Sequence, residues 1–498
     1  MCQSSSTTIT TLPPELLGEI FVHCALDEPD SPAMLATLSH RFHKVALSTP
    51  QAWQWLTLSL SEYPRQVCSR KTHLWFARSA ECAINVKVNL IPSSTYMHQI
   101  PNESSGTYLG ISESLKPFFS RIHSLNVDAT SENIAQYFIS NVYSSSSNTA
   151  LPIPLEGLVL RINSDFPTTL LPSIPASTLI PFPILPRLSH LQLVNHSLPN
   201  QGATDLSGLK ILSIIRPVRA PPLTIMNVLR VLCHCRSLTS FTFEGRMIEG
   251  PMAPHQNEDE QPEEELSTPL TLPAITQFSL RSNRIPQLLS ALILPELRIL
   301  TINDLDGRRP NASEETGTML RQLLVRMELP RETRKSDGLR ILELRGVTIR
   351  RQYSVWEWCF RRMWNLEVLG LKDTNVDEAV GILLSSIHSD VPVAEGTRRE
   401  EIVCPRLHTL SVTGELPSGS LKMFESCRPA TRVVQEIRKE GSDLGLDLEP
   451  RGNWPALVDL SSPVTGSGGF GFGSSFDRQR KTIGQEGNSD SDSKSSGL

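Results

Sequence analysis

One pattern of apolar residues returns along most of this 498-residue chain and restricts what it can fold into. It runs apolar, two residues, apolar, two residues, apolar, one residue, apolar. Copies read FSRIHSLNV, LPRLSHLQL, LSGLKILSI, CRSLTSFTF, LPAITQFSL, LPELRILTI, GLRILELRGV, WNLEVLGL and CPRLHTLSV, with PLEGLVL a weaker one. The third apolar position falls at Leu125, Leu158, Leu191, Leu212, Phe241, Phe278, Leu300, Leu342, Leu369 and Leu410. The closing alternation is that of a short strand with one buried face. Helical stretches lie between copies: SENIAQYFISNVY, LTIMNVLRVLCHC, TGTMLRQLLVRMEL and NVDEAVGILLSSIH, the last opened by Asn375 and Glu378 at capping-box spacing. Strand, loop, helix and strand again predicts an α/β solenoid, each unit exposing an apolar face that only a neighbour can cover.

The pattern resembles degenerate leucine-rich repeats. Regular repeats of that kind often close their strand with Asn, and Asn195, Asn283 and Asn303 stand near strand ends here. The gaps between copies are uneven, so an irregular solenoid is expected over 118–460. Two segments should interrupt or follow it as disordered chain. Residues 251–269 carry Glu258, Asp259, Glu260, Glu263, Glu264 and Glu265 with few apolar residues. Residues 461–498 are Gly/Ser-rich and then charged.

Residues 11–60 read differently, as a compact set of short helices after a disordered 1–10. Thr11 is a candidate cap, and Pro13 and Pro14 suit a first helical turn. Leu12, Leu16, Ile20 and Cys24 recur every four residues, with Leu17 and Phe21 as a second row beside them. One row can pack on the next helix; the other needs a further surface. A second helical run follows DEPDSP, carrying Met34, Leu35, Leu38, Phe42, Val45 and Ala46, until Pro50 stops it. LPPELLGEIF followed by LATLSHRFHKVALSTPQAW resembles an F-box of the type common among fungal proteins. Leu12, Pro13, Glu15 and Leu16 match its opening, and Ser48, Pro50 and Trp53 match its end. Ser39 and Phe42 depart from the usual Cys and Trp.

The resemblance implies a non-enzymatic substrate-recognition subunit of an SCF-type ligase, in which the F-box docks on the Skp adaptor of a cullin–RING ubiquitin ligase. Leu12, Pro13, Leu16, Leu17, Ile20, Leu38 and Phe42 would form or support that docking surface. The rest of the chain would hold a protein substrate. Residues flanking the buried pair of a strand point outward, which names Gln192, Glu244, Arg281, Thr301, Glu343, Arg345 and Lys372 as substrate-facing. The other reading is a non-catalytic leucine-rich-repeat scaffold whose first helices only cap the solenoid. Between the two modules, 61–117 reads as a connecting helix (RQVCSRKTHLWFARS), a strand (CAINVKVNL) and a loop.

Composition narrows the rest. A formal charge of −5 argues against nucleic acid bound through bulk charge. MCQSSSTTIT lacks the basic and apolar regions of a signal peptide, and no apolar run reaches membrane-spanning length. A reducing compartment, cytoplasmic or nuclear, is expected, with Asn102, Asn195 and Asn311 idle as glycosylation acceptors. The nine cysteines are irregularly spaced, and Cys233-His234-Cys235 reads as a buried helical pair of thiols, not a metal site. No hydrolase, zinc-protease, redox or dinucleotide motif occurs, so no active site, cofactor or metal is expected. His123, His190 and His408 read as solvent-facing or satisfied. Tyr353, Trp356, Phe360 and Trp364 fall on one side of a helix flanked by Arg350, Arg351, Arg361 and Arg362, which reads as a packing face.

Overall fold

The computed structural model describes residues 9–60, 65–91, 104–143, 154–163, 185–198, 206–217, 220, 222–248, 269–306, 314–328, 338–349, 352–374, 376–385, 403–413 and 418–436. They belong to one compact unit, Met1–Arg438, of a mixed α/β fold. The second unit, Lys439–Leu498, lies outside the described residues. The predicted tail 461–498, nearly all of 251–269 and of 1–10, and Arg350, Arg351 and Asn375 also lie outside them.

The chain starts with α1 (Pro14–Asp27), α2 (Ser31–Leu38) and α3 (His40–Ser48). Thr11 does not cap α1. It ends a short 3-10 turn, and Pro13 occupies the cap position without a side-chain bond. The second helical run, expected to be continuous, is broken at Ser39. Ser39 is extended, and its hydroxyl accepts a 3.1 Å hydrogen bond from the Phe42 N–H, so it ends α2 and caps α3.

A sheet of thirteen parallel strands follows in chain order. They are β1 (Trp55–Ser59), β2 (Ile84–Asn89), β3 (Ile122–Ala129), β4 (Gly157–Ile162), β5 (His190–Val194), β6 (Ile211–Ile215) and β8 (Ser240–Glu244), then β11 (Gln277–Ser282), β13 (Ile299–Asp304), β14 (Ile341–Arg345), β15 (Val368–Lys372), β16 (Thr409–Thr413) and β17 (Arg432–Glu436). Four two-residue strands stand aside as pairs, β7 (Leu223–Thr224) with β9 (Met247–Ile248) and β10 (Leu270–Thr271) with β12 (Leu292–Ile293). The sheet therefore begins in the module expected to be helical, and includes β2 from the expected connecting segment. β1 is a single short alternation, WLTLS, without the long repeat before it.

The repeat markers line up. Leu125, Leu158, Leu191, Leu212, Phe241, Phe278, Leu300, Leu342, Leu369 and Leu410 pair successively, Leu56 and Val86 precede them and Val433 follows. Two residues on, Val127, Leu160, Leu193, Ile214, Phe243, Leu280, Ile302, Leu344, Leu371 and Val412 form a second inward column. These residues from Leu125 through Val412 are buried in one continuous core.

Nine further helices connect the strands among the described residues. They are α4 (Arg65–Arg78), α5 (Ser104–Leu115), α6 (Glu132–Tyr143), α7 (Ile225–Cys233), α8 (Ile285–Ser290), α9 (Glu314–Glu328), α10 (Tyr353–Arg362), α11 (Val376–Ser385) and α12 (Ser418–Cys427). They pack in succession, α4 on α5 on α6 and α8 through α12 each on the next. Gly317 lets α9 approach α10: a Cβ there would stand 2.6 Å from Gln352 Oε1 and 2.8 Å from Trp356 Nε1. Gly346, after β14, has φ of +67°, and a Cβ would stand 2.7 Å from the Asp304 carbonyl oxygen.

Arginines seal several helix ends. Arg121 donates to the carbonyls of Phe76 (2.8 Å) in the last turn of α4 and Cys82 (3.1 Å) beyond it. Arg326 donates to Ser290 (2.6 Å), the last residue of α8, and to Leu292 (2.9 Å) just past it. Arg428 donates to Leu383 (3.1 Å), Cys404 (3.1 Å) and Val403 beside α11. Leu342→Ala, in the inward column, is expected to cost about 2–5 kcal/mol in urea unfolding. Gln192→Ala, on the other face, should change stability by under about 0.5 kcal/mol.

Candidate functional site

The first candidate is the surface of α1–α3. Of the two apolar rows on α1, the one with Leu17 and Phe21 turns inward, and Phe21 meets Phe42 edge to face at 5.5 Å. The other row is left outside: Leu16 is 51 % exposed, Ile20 and Leu12 are half-buried, and Pro13 is exposed. On α2, Met34 and Leu38 are one turn apart and 62 % and 68 % exposed. Two residues named for docking therefore cannot touch a partner: Leu17 is fully buried and Phe42 is 7 % exposed. Both hold up the surface from below. Leu26, Met34 and Leu47 are exposed apolar residues that residue-by-residue matching missed. Their signal was position, since they lie opposite the buried side of their helices.

This concentration is local. Of the twelve large apolar side chains exposed among the described residues, eight lie between Ile9 and Leu74. Scattered exposed leucines need no explanation; a cluster on neighbouring short helices does.

The helices are joined to the sheet through Trp53, which is fully buried. Its indole N–H donates to the Ala46 carbonyl at 2.8 Å, its ring meets Trp75 edge to face at 5.0 Å, and the Arg78 guanidinium lies 4.4 Å from its centre. Trp75 in turn donates to the Trp55 carbonyl at the start of β1 (2.8 Å). Lys71 on α4 reaches Asp30, between α1 and α2, at 2.6 Å.

The second candidate is the sheet face turned away from the core. All seven residues named from alternation lie on it, in two rows. Gln192, Thr301 and Glu343 share the position between the inward columns; Glu244, Arg281, Arg345 and Lys372 share the position after them. Ion pairs tie some of them down: Arg281 to Glu244 at 2.5 Å and Arg345 to Asp373 at 3.1 Å. Asn195 and Asn283 close turns as expected, Asn195 donating to the Ile162 carbonyl at 3.0 Å and Asn283 accepting from the Met247 N–H at 2.8 Å. Asn303 does not: it lies within β13, paired with Arg281 and Arg345, and the buried Asp304 makes the turn bond by accepting from the Asp306 N–H at 2.9 Å.

Among the described residues no group of three or more His, Cys, Asp or Glu side chains is arranged to hold a metal ion. Cys233 and Cys235 are not a buried pair: Cys233 is exposed at the end of α7, while Cys235 is buried and its thiol is pushed up to about 12 by desolvation. Burial likewise pushes Cys359 and Cys404 up to about 12, which keeps them as unreactive thiols. His123 lies 3.8 Å from Glu156, and His190 is held at 2.6 Å from the Ser189 hydroxyl, its pKa lowered by burial against the opposing pull of Glu156. On α10, Trp356 and Phe360 are buried, but Tyr353 is exposed and Trp364, beyond the helix end, is exposed as well. The packing face is thus half as long as the spacing suggested. No helix among the described residues is long and apolar enough to cross a membrane.

Leu16→Asp and Leu38→Asp should leave the melting temperature almost unchanged, within about 0.5 kcal/mol of stability. Leu17→Asp places an unpaired carboxylate in the core and should cost more than about 3 kcal/mol. Comparison with protein-family models and with curated proteins gives no match to this chain.

Proposed function

We propose that the chain is the substrate-holding subunit of an SCF-type cullin–RING ubiquitin ligase. It docks on the Skp adaptor through α1–α3, and the outward sheet face carries a protein substrate. The observation that carries this reading is the apolar surface left on α1 and α2, where Leu16, Met34 and Leu38 are each more than half exposed. Burying a side chain of this size at an interface is worth about 1.5–3 kcal/mol. The match of Leu12, Pro13, Glu15, Leu16, Ser48, Pro50 and Trp53 to the F-box pattern supports it further. The sheet supports reading the remainder as an irregular leucine-rich-repeat solenoid, because the repeat markers share one register column. In this role the chain does no chemistry. It supplies proximity between a substrate and the transfer machinery, in the cytoplasm or the nucleus.

One observation favours the scaffold reading: Trp53 and β1 belong to the core of the sheet, so the first helices also cap it. Deleting residues 1–60 would remove an edge strand under either reading and separates nothing. Surface variants do separate them. Purified adaptor should retain the full chain and lose Leu38→Asp and Leu16→Asp by about tenfold or more, with unchanged melting temperatures. No capture of the unaltered chain, or equal capture of both variants, leaves the scaffold reading.

A further inference from the structure

We propose that the outward face of β13–β15 binds an extended acidic peptide segment anchored by apolar side chains. This names the class of substrate for the face proposed above and rests on that reading.

Outward positions of this sheet are mostly polar or small. On three adjacent strands the position before the first inward column is instead Ile299, Ile341 and Val368, paired in that order and each half-buried. Neighbouring strands lie about 4.8 Å apart, so these side chains abut in a strip of roughly 10 Å running across the strands. None of them is needed by the core, which lies on the other face. Beside Ile341 and Val368 the next outward position on β15 is Gly370, which the Glu343 side chain covers: a Cβ there would stand 3.1 Å from Glu343 Cγ.

Cations border the strip on both sides. Arg298 and Arg340 precede Ile299 and Ile341, with the Arg340 N–H donating to the Arg298 carbonyl at 2.8 Å. Arg345 and Lys372 close the far side as a register pair. The carboxylates of the same region are Glu343 on β14, Glu367 just before β15 and Asp373 just after it. Glu367 lies 3.9 Å from Arg340 and Asp373 3.1 Å from Arg345. Such exposed pairs are weak and exchange readily with an incoming carboxylate. Four cations against three carboxylates on and beside these strands, in a chain of net charge −5, favour a negatively charged occupant.

The geometry also restricts the occupant's form. Every one of these strands is paired on both sides, so a ligand cannot join the sheet and must bind through side chains. In an extended peptide, alternate side chains on one face repeat at about 6.8 Å. Two such apolar residues span the strip, and acidic residues beside them reach the bordering arginines and lysine. The strip holds no aromatic ring on which a base would stack, which favours peptide over single-stranded nucleic acid.

The test is selection of a random-peptide library on the immobilised full-length chain, followed by fluorescence anisotropy of the enriched peptides. Enriched sequences should combine apolar residues with flanking Asp or Glu. Ile341→Asp, and separately Val368→Ser, should weaken them by about tenfold or more, as should Arg345→Glu with Lys372→Glu. Gln192→Ala should have no effect. Each variant is checked against the unaltered chain by its urea midpoint, and Val368→Ser carries the test if Ile341→Asp is destabilised. Enrichment without acidic bias, affinity indifferent to these substitutions, or a polyuridine strand binding with the same sensitivities would overturn the proposal. The selection does not require the adaptor. Failure here with adaptor capture intact rejects this inference alone, and success here without adaptor capture rejects the ligase reading alone.

Discussion

A parallel strand cannot bury itself. Its partner is never the adjacent turn of chain but the next unit, reached only after a connection has crossed one face of the sheet. In this protein each strand offers two inward side chains, such as Leu342 and Leu344, and both are covered by the corresponding residues of the strands on either side and by the connecting helices. Burial is therefore shared between neighbours along the whole register column. A cavity under one strand is felt by the two beside it, and no unit is stable as a separate piece.

Such an array has ends, and at the N-terminal end the chain carries both buried packing against the sheet and an exposed apolar surface. Among the described residues β1 has one neighbour in the sheet, so its other side needs a cover. The segment just before it packs on α4, which also meets β1. Trp53 packs between α3 and α4, with its indole N–H satisfied by Ala46 and its ring beside Trp75 and Arg78. The same short helices still keep Leu16, Met34 and Leu38 outside. Fourteen residues of α1 are enough for both roles only because a helix has two sides: Leu17, Phe21 and Ala25 face the cap, and Leu16 does not.

The repeats were legible because their signal is periodic and redundant. Once a marker such as Phe241 is recognised, alternation fixes the inward and outward sets, and the register confirms the phase through Leu410. The features that were missed depend on single contacts without a period. β1 and β2 carry the alternation without the leading repeat, so nothing in their sequence tied them to the sheet. Ser39 looks like any polar residue of a helix until its hydroxyl is seen on the Phe42 N–H. Helical spacing gave the two rows on α1 but not which one would turn inward, since Leu16 and Leu17 are chemically identical. Asn303 follows the expected composition of a strand end, yet one more residue of pairing in β13 moved the turn to Asp304. The arginines that close helix ends, Arg121, Arg326 and Arg428, reach carbonyls 24–45 residues away and leave no local trace.

On the proposed ligase reading, the shared core between helices and sheet has a mechanical consequence. A flexible tether between docking and substrate surfaces would let a held protein sample a large volume, and the effective concentration of its lysines at the transfer site would fall with tether length. Here the chain passes from Trp53 to β1 without a linker, and Lys71 and Arg78 on α4 bind back to Asp30 and Trp53. The outward face at β13–β15 is then set relative to α1–α3 by a continuous ladder of paired strands, and not by a hinge. Orientation is built in by the fold, so binding energy at the strip is not lost to restricting a tether and goes into holding the partner.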